Sequence, residues 1–256
     1  MGVLLILLVL SIIYFHGLYL IVRMWLLYAV LDFWFGEVIM IPSLFDHLRF
    51  YLFPSLCAYC KKFLLHSTIF CNECSLKIFP IVSKKIDITP TISVTVFALS
   101  DYKDPLKKLI IAKSWSDSIA SYQLGNLLNT MLLPEALNGD ILIPIPLHWT
   151  RYAWRGFNQA HEIAKVISKK RNIPVHHLLK RIKKTPFQSV LPSTMRADNV
   201  KDAFVLNANI PDAYRDKHLV LIDDLMTTGA TLRTAAKLLL PLKPKKITAI
   251  VVCRIL

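Results

Sequence analysis

The segment VLIDDLMTTGATL, residues 220–232, constrains the fold of this chain more than any other stretch. An apolar run leads directly into two acids, Asp223 and Asp224, and then into a short loop of threonines around Gly229. The apolar run predicts a buried strand that ends at the acids, and the apolar spacing after the loop predicts a helix. A strand, a turn and a helix in this order form the repeating unit of a parallel α/β sheet.

The rest of the chain continues this alternation of strands and helices. Strand patterns are found at residues 91–99, 140–146, 217–222 and 247–255, and helical patterns within 104–132, from near Arg155, and at 229–240. This order predicts an α/β fold with a parallel sheet flanked by helices on both faces. Ligands of such sheets bind beyond the carboxyl ends of the strands, where the apolar runs DILIPIP (140–146) and HLVLIDD (218–224) both end.

The loop after the acids has the composition of an anion-binding turn. The backbone N–H groups of such a turn and of the following helix can hold a phosphate, and threonine hydroxyls add donors. A P-loop is excluded because no Gly-Lys-Ser/Thr follows, and the Gly-x-Gly-x-x-Gly of dinucleotide folds is absent. The acids are suited to accept hydrogen bonds from ribose hydroxyls and to help position Mg²⁺, which prefers oxygen ligands.

Four cysteines form a second motif, Cys-x2-Cys-x10-Cys-x2-Cys, at Cys57, Cys60, Cys71 and Cys74. Each pair places two thiolates on one tight turn, and two such turns supply four sulfur ligands to a tetrahedral Zn²⁺. Because four sulfurs complete the coordination shell, the predicted zinc site is structural rather than catalytic. Two disulfides are the alternative, and they require an oxidising compartment. The fifth cysteine, Cys253, lies in an apolar strand pattern and is predicted to be buried.

Residues 1–39 form an apolar extension. Residues 1–22 contain no Asp, Glu, Lys or Arg, and about 20 apolar residues suffice for a helix to cross a bilayer. Two interpretations stay open: a transmembrane anchor, or sequence upstream of a true start at Met40. The body of the protein is predicted to be cytoplasmic, and with an anchor Arg23 and the basic residues after it favour the same side.

The charge balance of the chain is basic. There are 31 Lys and Arg residues against 17 Asp and Glu, which gives a formal net charge of +14. A basic chain favours anionic partners such as nucleic acid, nucleotides, phosphates or a membrane surface, but charge alone does not choose among them.

The segment 220–232 resembles the phosphoribosyl-pyrophosphate (PRPP) binding motif of type I phosphoribosyltransferases. The resemblance implies that the two acids hold the ribose 2′ and 3′ hydroxyls and that the loop holds the 5′-phosphate. The residues expected to bind PRPP are Asp223, Asp224, Thr227, Thr228, Gly229, Ala230 and Thr231. Candidates for binding the pyrophosphate group, with Mg²⁺, are Lys113, Arg151 and Arg155. The catalytic residues are not assigned.

A narrower resemblance covers residues 40–256. The four cysteines, the run IPIPLHWTRYAWRGFNQA at 143–160, the run FQSVLPSTMRADNVKDAF at 187–204 and the PRPP motif follow in the order typical of the ComF family, described as competence or amidophosphoribosyltransferase-like proteins. The resemblance implies a zinc-ribbon-like, four-cysteine module at 40–85 and a type I phosphoribosyltransferase-like domain at 90–256, after the extension 1–39.

Two functions follow from this resemblance, and the residues do not choose between them. In the first, the chain is an enzyme that transfers phosphoribose to an unidentified nucleophile with loss of pyrophosphate. In the second, it is a non-catalytic, nucleotide-responsive module that binds single-stranded DNA and competence proteins during DNA uptake. A candidate lid contains Lys183, Lys184, Gln188 and Arg196. Trp115, Trp149, Trp154 and Phe157 are candidate stacking faces for DNA, although most of them are expected in the core.

Overall fold

The computed structural model describes residues 55–64, 68–112, 118–183, 202–207 and 212–255, which belong to one compact unit, Ser55–Leu256. The extension 1–39 lies outside these residues, and the predicted boundaries of the cysteine module and of the larger domain stay predictions. Also outside them are the predicted pyrophosphate residue Lys113, Trp115, and the lid residues Lys184, Gln188 and Arg196.

Seven strands are found within the described residues. They are β1 (Ile81–Asp87), β2 (Ser93–Asp101), β3 (Ile141–Pro144), β4 (Leu179–Arg181), β5 (Phe204–Leu206), β6 (His218–Met226) and β7 (Lys246–Arg254). Five of them form one sheet in the order β1-β2-β7-β6-β3, and β4 pairs with β5 in a separate antiparallel ribbon. The strands β2, β7, β6 and β3 run parallel, as predicted, and β1 adds an antiparallel edge that the sequence analysis did not assign.

Six α-helices are described. They are α1 (Asn72–Ser75), α2 (Leu106–Ala112), α3 (Ser118–Met131), α4 (Trp149–Arg155), α5 (Gln159–Arg171) and α6 (Ala230–Leu239). The helix predicted to begin near Arg155 is α5, which begins four residues later at Gln159, and a separate short helix, α4, ends at Arg155. The chain breaks at Gly156, which ends α4 in the left-handed conformation at φ 78°, a common helix stop. Asn158 then caps α5 by accepting a hydrogen bond from the backbone N–H of Ala160.

The core lies on both faces of the sheet. In β6, Leu219 and Leu221 pack on one face, while Val220 and Ile222 pack on the other, because successive side chains of a strand point to opposite sides. Helices α3 and α5 cover the second face, and α6 covers the first. The central strand β7 is buried over seven consecutive residues, which is typical of a parallel strand covered by helices on both faces.

The possible transmembrane anchor at residues 1–39 lies outside the residues that the structure describes. Within the described ranges, no helix combines the length and the apolar character that a membrane crossing requires.

Candidate functional site

A cavity of about 330 Å³ opens beyond the carboxyl ends of β3 and β6. This volume lies in the range of small-molecule sites, which begins at roughly 300 Å³. The polar side chains that line it are Arg151, Arg155, Asn158, Gln159, Arg181, Asp223, Asp224, Thr227 and Thr231. Its apolar wall consists of Ile110, Ile111, Ile145, Pro146, Leu147 and Leu225, with Tyr102 beside them. The position at the strand ends is the one that the α/β topology predicts.

Both predicted acids line this cavity, but the strand does not end before them. β6 continues to Met226, with Asp223 opposite Val251 and Leu225 opposite Cys253, so the predicted strand end at residue 222 is wrong. The physical reason is the length of the partner, because β7 offers backbone hydrogen bonds for nine residues. What changes at residue 223 is burial, from fully buried to half-buried. The acids are therefore held by the sheet itself at the place where they line the cavity.

The threonine loop turns the chain from β6 into α6. Thr227 and Thr231 line the cavity, and Thr228 accepts a hydrogen bond from the backbone N–H of Ala230 at 3.4 Å. Gly229 is the N-cap of α6 and has a left-handed backbone conformation, with φ 78°. A Cβ atom there would lie 2.6 Å from Cδ1 of Ile86 on β1. The loop is thus packed against the edge strand by the one residue type without a Cβ.

This packing predicts a stability difference between two glycines with the same backbone angle. Gly229→Ala is expected to lower the free energy of unfolding by more than the roughly 1–2 kcal/mol that a left-handed φ costs a residue with a Cβ, because Ile86 must also move. Gly156→Ala is the matched control, since its φ is also 78° and no atom lies within 4 Å of the added Cβ. Denaturant unfolding of both variants measures the difference. Equal destabilisation would contradict the close contact with Ile86.

Three arginines surround the acids. Arg151 and Arg155, both predicted from the sequence, lie one turn apart on α4, and Arg181 comes from β4 on the separate ribbon. Burial, together with repulsion from Arg181 and Arg155, lowers the pKa of Arg151 to about 10. Burial also lowers the pKa of Arg155 and Arg181, while attraction from one carboxylate opposes this change in each case, Asp224 for Arg155 and Asp223 for Arg181.

Three arginines and two aspartates line the cavity, so its lining carries more positive than negative charge, and the arginines are partly removed from water. A desolvated cation is costly unless negative charge lies beside it, so a bound anion would lower the electrostatic energy of the cluster. Such clusters of perturbed groups in a cleft are typical of functional sites. The guanidinium groups suit phosphate oxygens because each presents a planar fork of donors.

Arg181 is the site residue that the sequence analysis missed. It is 8% exposed, and its guanidinium carbon lies 5.2 Å from the ring centroid of Phe204 on β5. One sequence signal was available, because Leu179 and Arg181 occupy alternate positions of a strand and so share its buried side. A charged residue on the buried side of a strand is unusual enough to mark a candidate site.

Asn158 and Gln159 have different tasks. The side-chain amide of Asn158 donates to the backbone oxygen of Ile145 at 3.0 Å and its oxygen caps α5. Asn158 thereby fixes the start of α5 against the end of β3. Gln159 is 2% exposed and lines the cavity beside it.

The four predicted cysteine ligands are brought together. Their sulfur atoms all lie within 4.8 Å of one another, and the Cys60 and Cys71 sulfurs are 3.7 Å apart. Four sulfurs at 2.3 Å from a tetrahedral Zn²⁺ are about 3.8 Å apart, whereas a disulfide requires roughly 2.05 Å. None of these four cysteines forms a disulfide. The cluster has the composition and spacing that a structural zinc ion requires.

The electrostatics of the cluster favour a thiolate at Cys57 and a protonated thiol at Cys74. Burial by itself would raise the pKa of Cys57, but backbone donors of Cys60, Cys71 and Tyr59 lower it to about 6. The N–H of Cys71 lies 3.5 Å from the Cys57 sulfur. Burial and the three neighbouring sulfurs raise the pKa of Cys74 to about 12. Since zinc binds thiolates, metal binding must displace the proton of Cys74. Cys253 is fully buried in β7, as predicted.

The C-terminal part of the chain is similar to phosphoribosyltransferase domains. Residues 154–255 match the family model described as Phosphoribosyl transferase domain. The purine phosphoribosyltransferase of Pyrococcus horikoshii Ot3 is a similar solved structure, with a TM-score of 0.31, 17% sequence identity, and coverage of 62% of this chain and 91% of that chain.

Curated relatives give the narrower grouping. Competence protein F of Haemophilus influenzae is 37% identical over 42% of this chain and 44% of its own length. Competence protein ComFC of Bacillus subtilis strain 168 is 39% identical over 39% of this chain and 38% of its own length. DNA utilization protein YhgH of Escherichia coli strain K12 is 28% identical over 73% of this chain and 78% of its own length. The chain thus spans less than half the length of the two competence proteins, and the predicted resemblance to the ComF family is confirmed.

Proposed function

We propose that the cavity binds PRPP and that the chain acts in DNA uptake as a phosphoribosyltransferase-like protein. One observation carries the proposal: the acid pair, the threonine loop and three arginines line the same cavity of about 330 Å³. PRPP has the matching groups, since it combines a ribose with two hydroxyls, a 5′-phosphate and a pyrophosphate. The role in DNA uptake is supported by the names of the relatives, competence protein F and DNA utilization protein.

We propose a partner for each part of the ligand from the chemistry of the lining residues. The carboxylates of Asp223 and Asp224 accept hydrogen bonds from the ribose hydroxyls. Thr227, Thr231 and the backbone N–H groups at the start of α6 hold the 5′-phosphate, since helix N-termini favour anions. Arg151, Arg155 and Arg181 hold the pyrophosphate. Lys113, which lies outside the described residues, remains a proposed member of this cationic group.

In the transfer reaction, the bond from ribose C1 to the pyrophosphate oxygen breaks and a bond from C1 to the nucleophile forms. The electron pair of the broken bond leaves with pyrophosphate, and the nucleophile gives up a proton. The arginines stabilise the negative charge that develops on the leaving group. Electrostatic stabilisation by preorganised groups is usually the largest single contribution to catalysis. The carboxylates and threonine hydroxyls are oxygen donors of the kind that Mg²⁺ prefers, and bound Mg²⁺ supplies further charge neutralisation.

Calorimetric titration with PRPP in the presence of Mg²⁺ tests the binding proposal. We expect saturable binding with one site per chain and a rise in the apparent thermal stability, since a ligand that binds the folded state stabilises it. Release of pyrophosphate on adding amines, amides or nucleobases then tests for catalysis. A folded, metal-loaded protein without affinity for PRPP would refute the proposal.

A specific surface favours the second function, binding of single-stranded DNA. On α4, Trp149 is 71% exposed, Tyr152 53% and Trp154 62%. Phe157 is half-buried, so the expectation that most of the four candidate stacking aromatics lie in the core is wrong. Bases stack on exposed aromatic rings, and each stacked base contributes about 1–3 kcal/mol. The net charge of +14 adds attraction to phosphates that weakens with salt.

Anisotropy of a labelled oligothymidine at several salt concentrations tests this second function. We expect a Trp149→Ala, Trp154→Ala variant to bind it more weakly, whereas Tyr122→Ala, another exposed aromatic on α3, leaves binding unchanged. Equal affinity in all three proteins would remove the stacking surface. Addition of PRPP shows whether the two ligands bind together or compete.

Arg181 provides a separate test of the pyrophosphate assignment. Arg181→Met keeps much of the apolar contact with Phe204 but removes the charge. We expect affinity for pyrophosphate to fall about 10- to 100-fold, because one hydrogen bond to a charged group contributes about 1.5–3 kcal/mol. Arg215→Met, at an exposed arginine, is the control in the same titration. Unchanged pyrophosphate affinity of the Arg181 variant would exclude this role.

A further inference from the structure

Helix α2 contributes to the cavity wall and contacts the cysteine module at the same time. Ile110 and Ile111 line the cavity. On the preceding turn, the Lys108 ammonium nitrogen lies 4.3 Å from the ring centroid of Tyr59. Tyr59 is part of the first metal-binding turn, Cys-Ala-Tyr-Cys, which begins at Cys57. A cation above an aromatic ring at this distance is an attractive contact, so one short helix connects the two places.

Tyr59 also holds the segment that leads into α2. The carboxylate of Asp104 accepts a hydrogen bond from the Tyr59 hydroxyl, and this bond and the carboxylate charge raise the pKa of Tyr59. Asp104 lies between Tyr102, which lines the cavity, and the first residue of α2. The ring and the hydroxyl of Tyr59 therefore contact α2 and the loop before it.

The metal ligands themselves are part of the core on which α2 rests. Cys57 is fully buried and Cys74 is 3% exposed, and both pack in the same cluster as Leu106, Leu109 and Ile110. If the two cysteine turns become more or less ordered, the packing under α2 must therefore change as well, because close-packed side chains transmit displacements to their neighbours.

From these contacts we propose that Tyr59 is a positioning residue that couples metal binding at the four cysteines to ligand binding in the cavity. The cysteine module then supports one wall of the site rather than forming an independent appendage. The proposal rests on the proposed function, because PRPP is the ligand used to measure the coupling. Coupling between two sites is reciprocal, so PRPP must raise the metal affinity by the same factor by which metal raises the PRPP affinity.

The first test compares PRPP affinity in variants that keep their metal. Tyr59→Ala is expected to retain one zinc ion per chain and to bind PRPP at least about 5-fold more weakly, the lower end of typical coupling factors. Tyr59→Phe keeps the ring under Lys108 but loses the bond to Asp104, so a smaller loss is expected. Tyr122→Ala is the matched control and should bind as the unmodified protein does. Full metal content and unchanged affinity in Tyr59→Ala would overturn the proposal.

Lys108→Met tests the same contact from the other side without a change in the cysteine module. Like Tyr59→Ala, it is expected to weaken PRPP binding. The coupling can therefore be tested with Lys108→Met even if Tyr59→Ala does not fold. Competition with a chelator, with and without PRPP, measures the reciprocal effect on zinc affinity. Zinc affinity that does not respond to PRPP would overturn the coupling.

Hydrogen exchange separates a failure of this inference from a failure of the proposed function. In Tyr59→Ala, the backbone amides of residues 106–112 are expected to exchange faster than in Tyr122→Ala, whatever ligand the cavity binds. If the amides exchange faster in Tyr59→Ala but the unmodified protein does not bind PRPP, the contact between the cysteine module and the cavity wall is supported and only the proposed ligand is refuted. Equal exchange in the two variants would refute the positioning role itself.

Discussion

Replacement of both Asp223 and Asp224 with asparagine is expected to weaken PRPP binding about 10²- to 10⁴-fold. Each carboxylate is proposed to accept a hydrogen bond from a ribose hydroxyl, and a hydrogen bond to a charged group contributes about 1.5–3 kcal/mol. Two such bonds correspond to about 3–6 kcal/mol, at a factor of ten per 1.4 kcal/mol. Asparagine has nearly the same size, so the sheet pairing of β6 remains. Calorimetry in the presence of Mg²⁺ measures the change.

A ligand without ribose makes this experiment specific. Pyrophosphate has no ribose hydroxyls, and removal of two negative charges near Arg155 and Arg181 leaves those cations more attractive to an anion. Without Mg²⁺, the double variant is therefore expected to bind pyrophosphate as well as the unmodified protein or better. Asp216→Asn, at an exposed site before the amino end of β6, is the control for the chemical change. Unchanged PRPP affinity in the double variant would remove the ribose assignment.

Replacement of Cys57 and Cys71 with serine is expected to abolish metal binding and to unfold the cysteine module. Structural zinc supplies about 10–16 kcal/mol of apparent binding free energy in zinc-finger peptides, which is comparable with the whole stability of a domain. Because Cys57 packs in the same core cluster as α2 and α3, the larger sheet domain should also lose stability. Metal analysis and thermal unfolding followed by circular dichroism measure both effects.

Cys253→Ala is the control for loss of a buried sulfur outside the cluster. It is expected to keep a full complement of zinc and to lose only the modest stability of one small buried side chain. A stoichiometric metal content in the Cys57→Ser, Cys71→Ser variant would rule out the four-sulfur site. Loss of the metal with no change in thermal unfolding would show that the cysteine turns are held by packing alone.

The parts of the site that the sequence predicted are those whose signals are local. The acids and the threonine loop are adjacent in the chain, so one strand, one turn and one helix place them together whatever the rest of the fold does. The cysteine pairs are likewise two tight turns with a characteristic spacing. Arg151 and Arg155 could be recognised because residues four apart in a helix share one face.

The tertiary structure decided which distant segments complete the site. Arg181 reaches the acids from a two-stranded ribbon outside the main sheet, and the full length of β6 depends on its pairing with β7. Tyr59 contacts α2 only because the cysteine turns pack into the core beneath that helix. Local patterns of polarity and spacing fix which elements form, since they depend on neighbours in the chain. The partners of Arg181 and Tyr59 depend on how strands are ordered and helices packed, which is settled by burial of the whole chain at once.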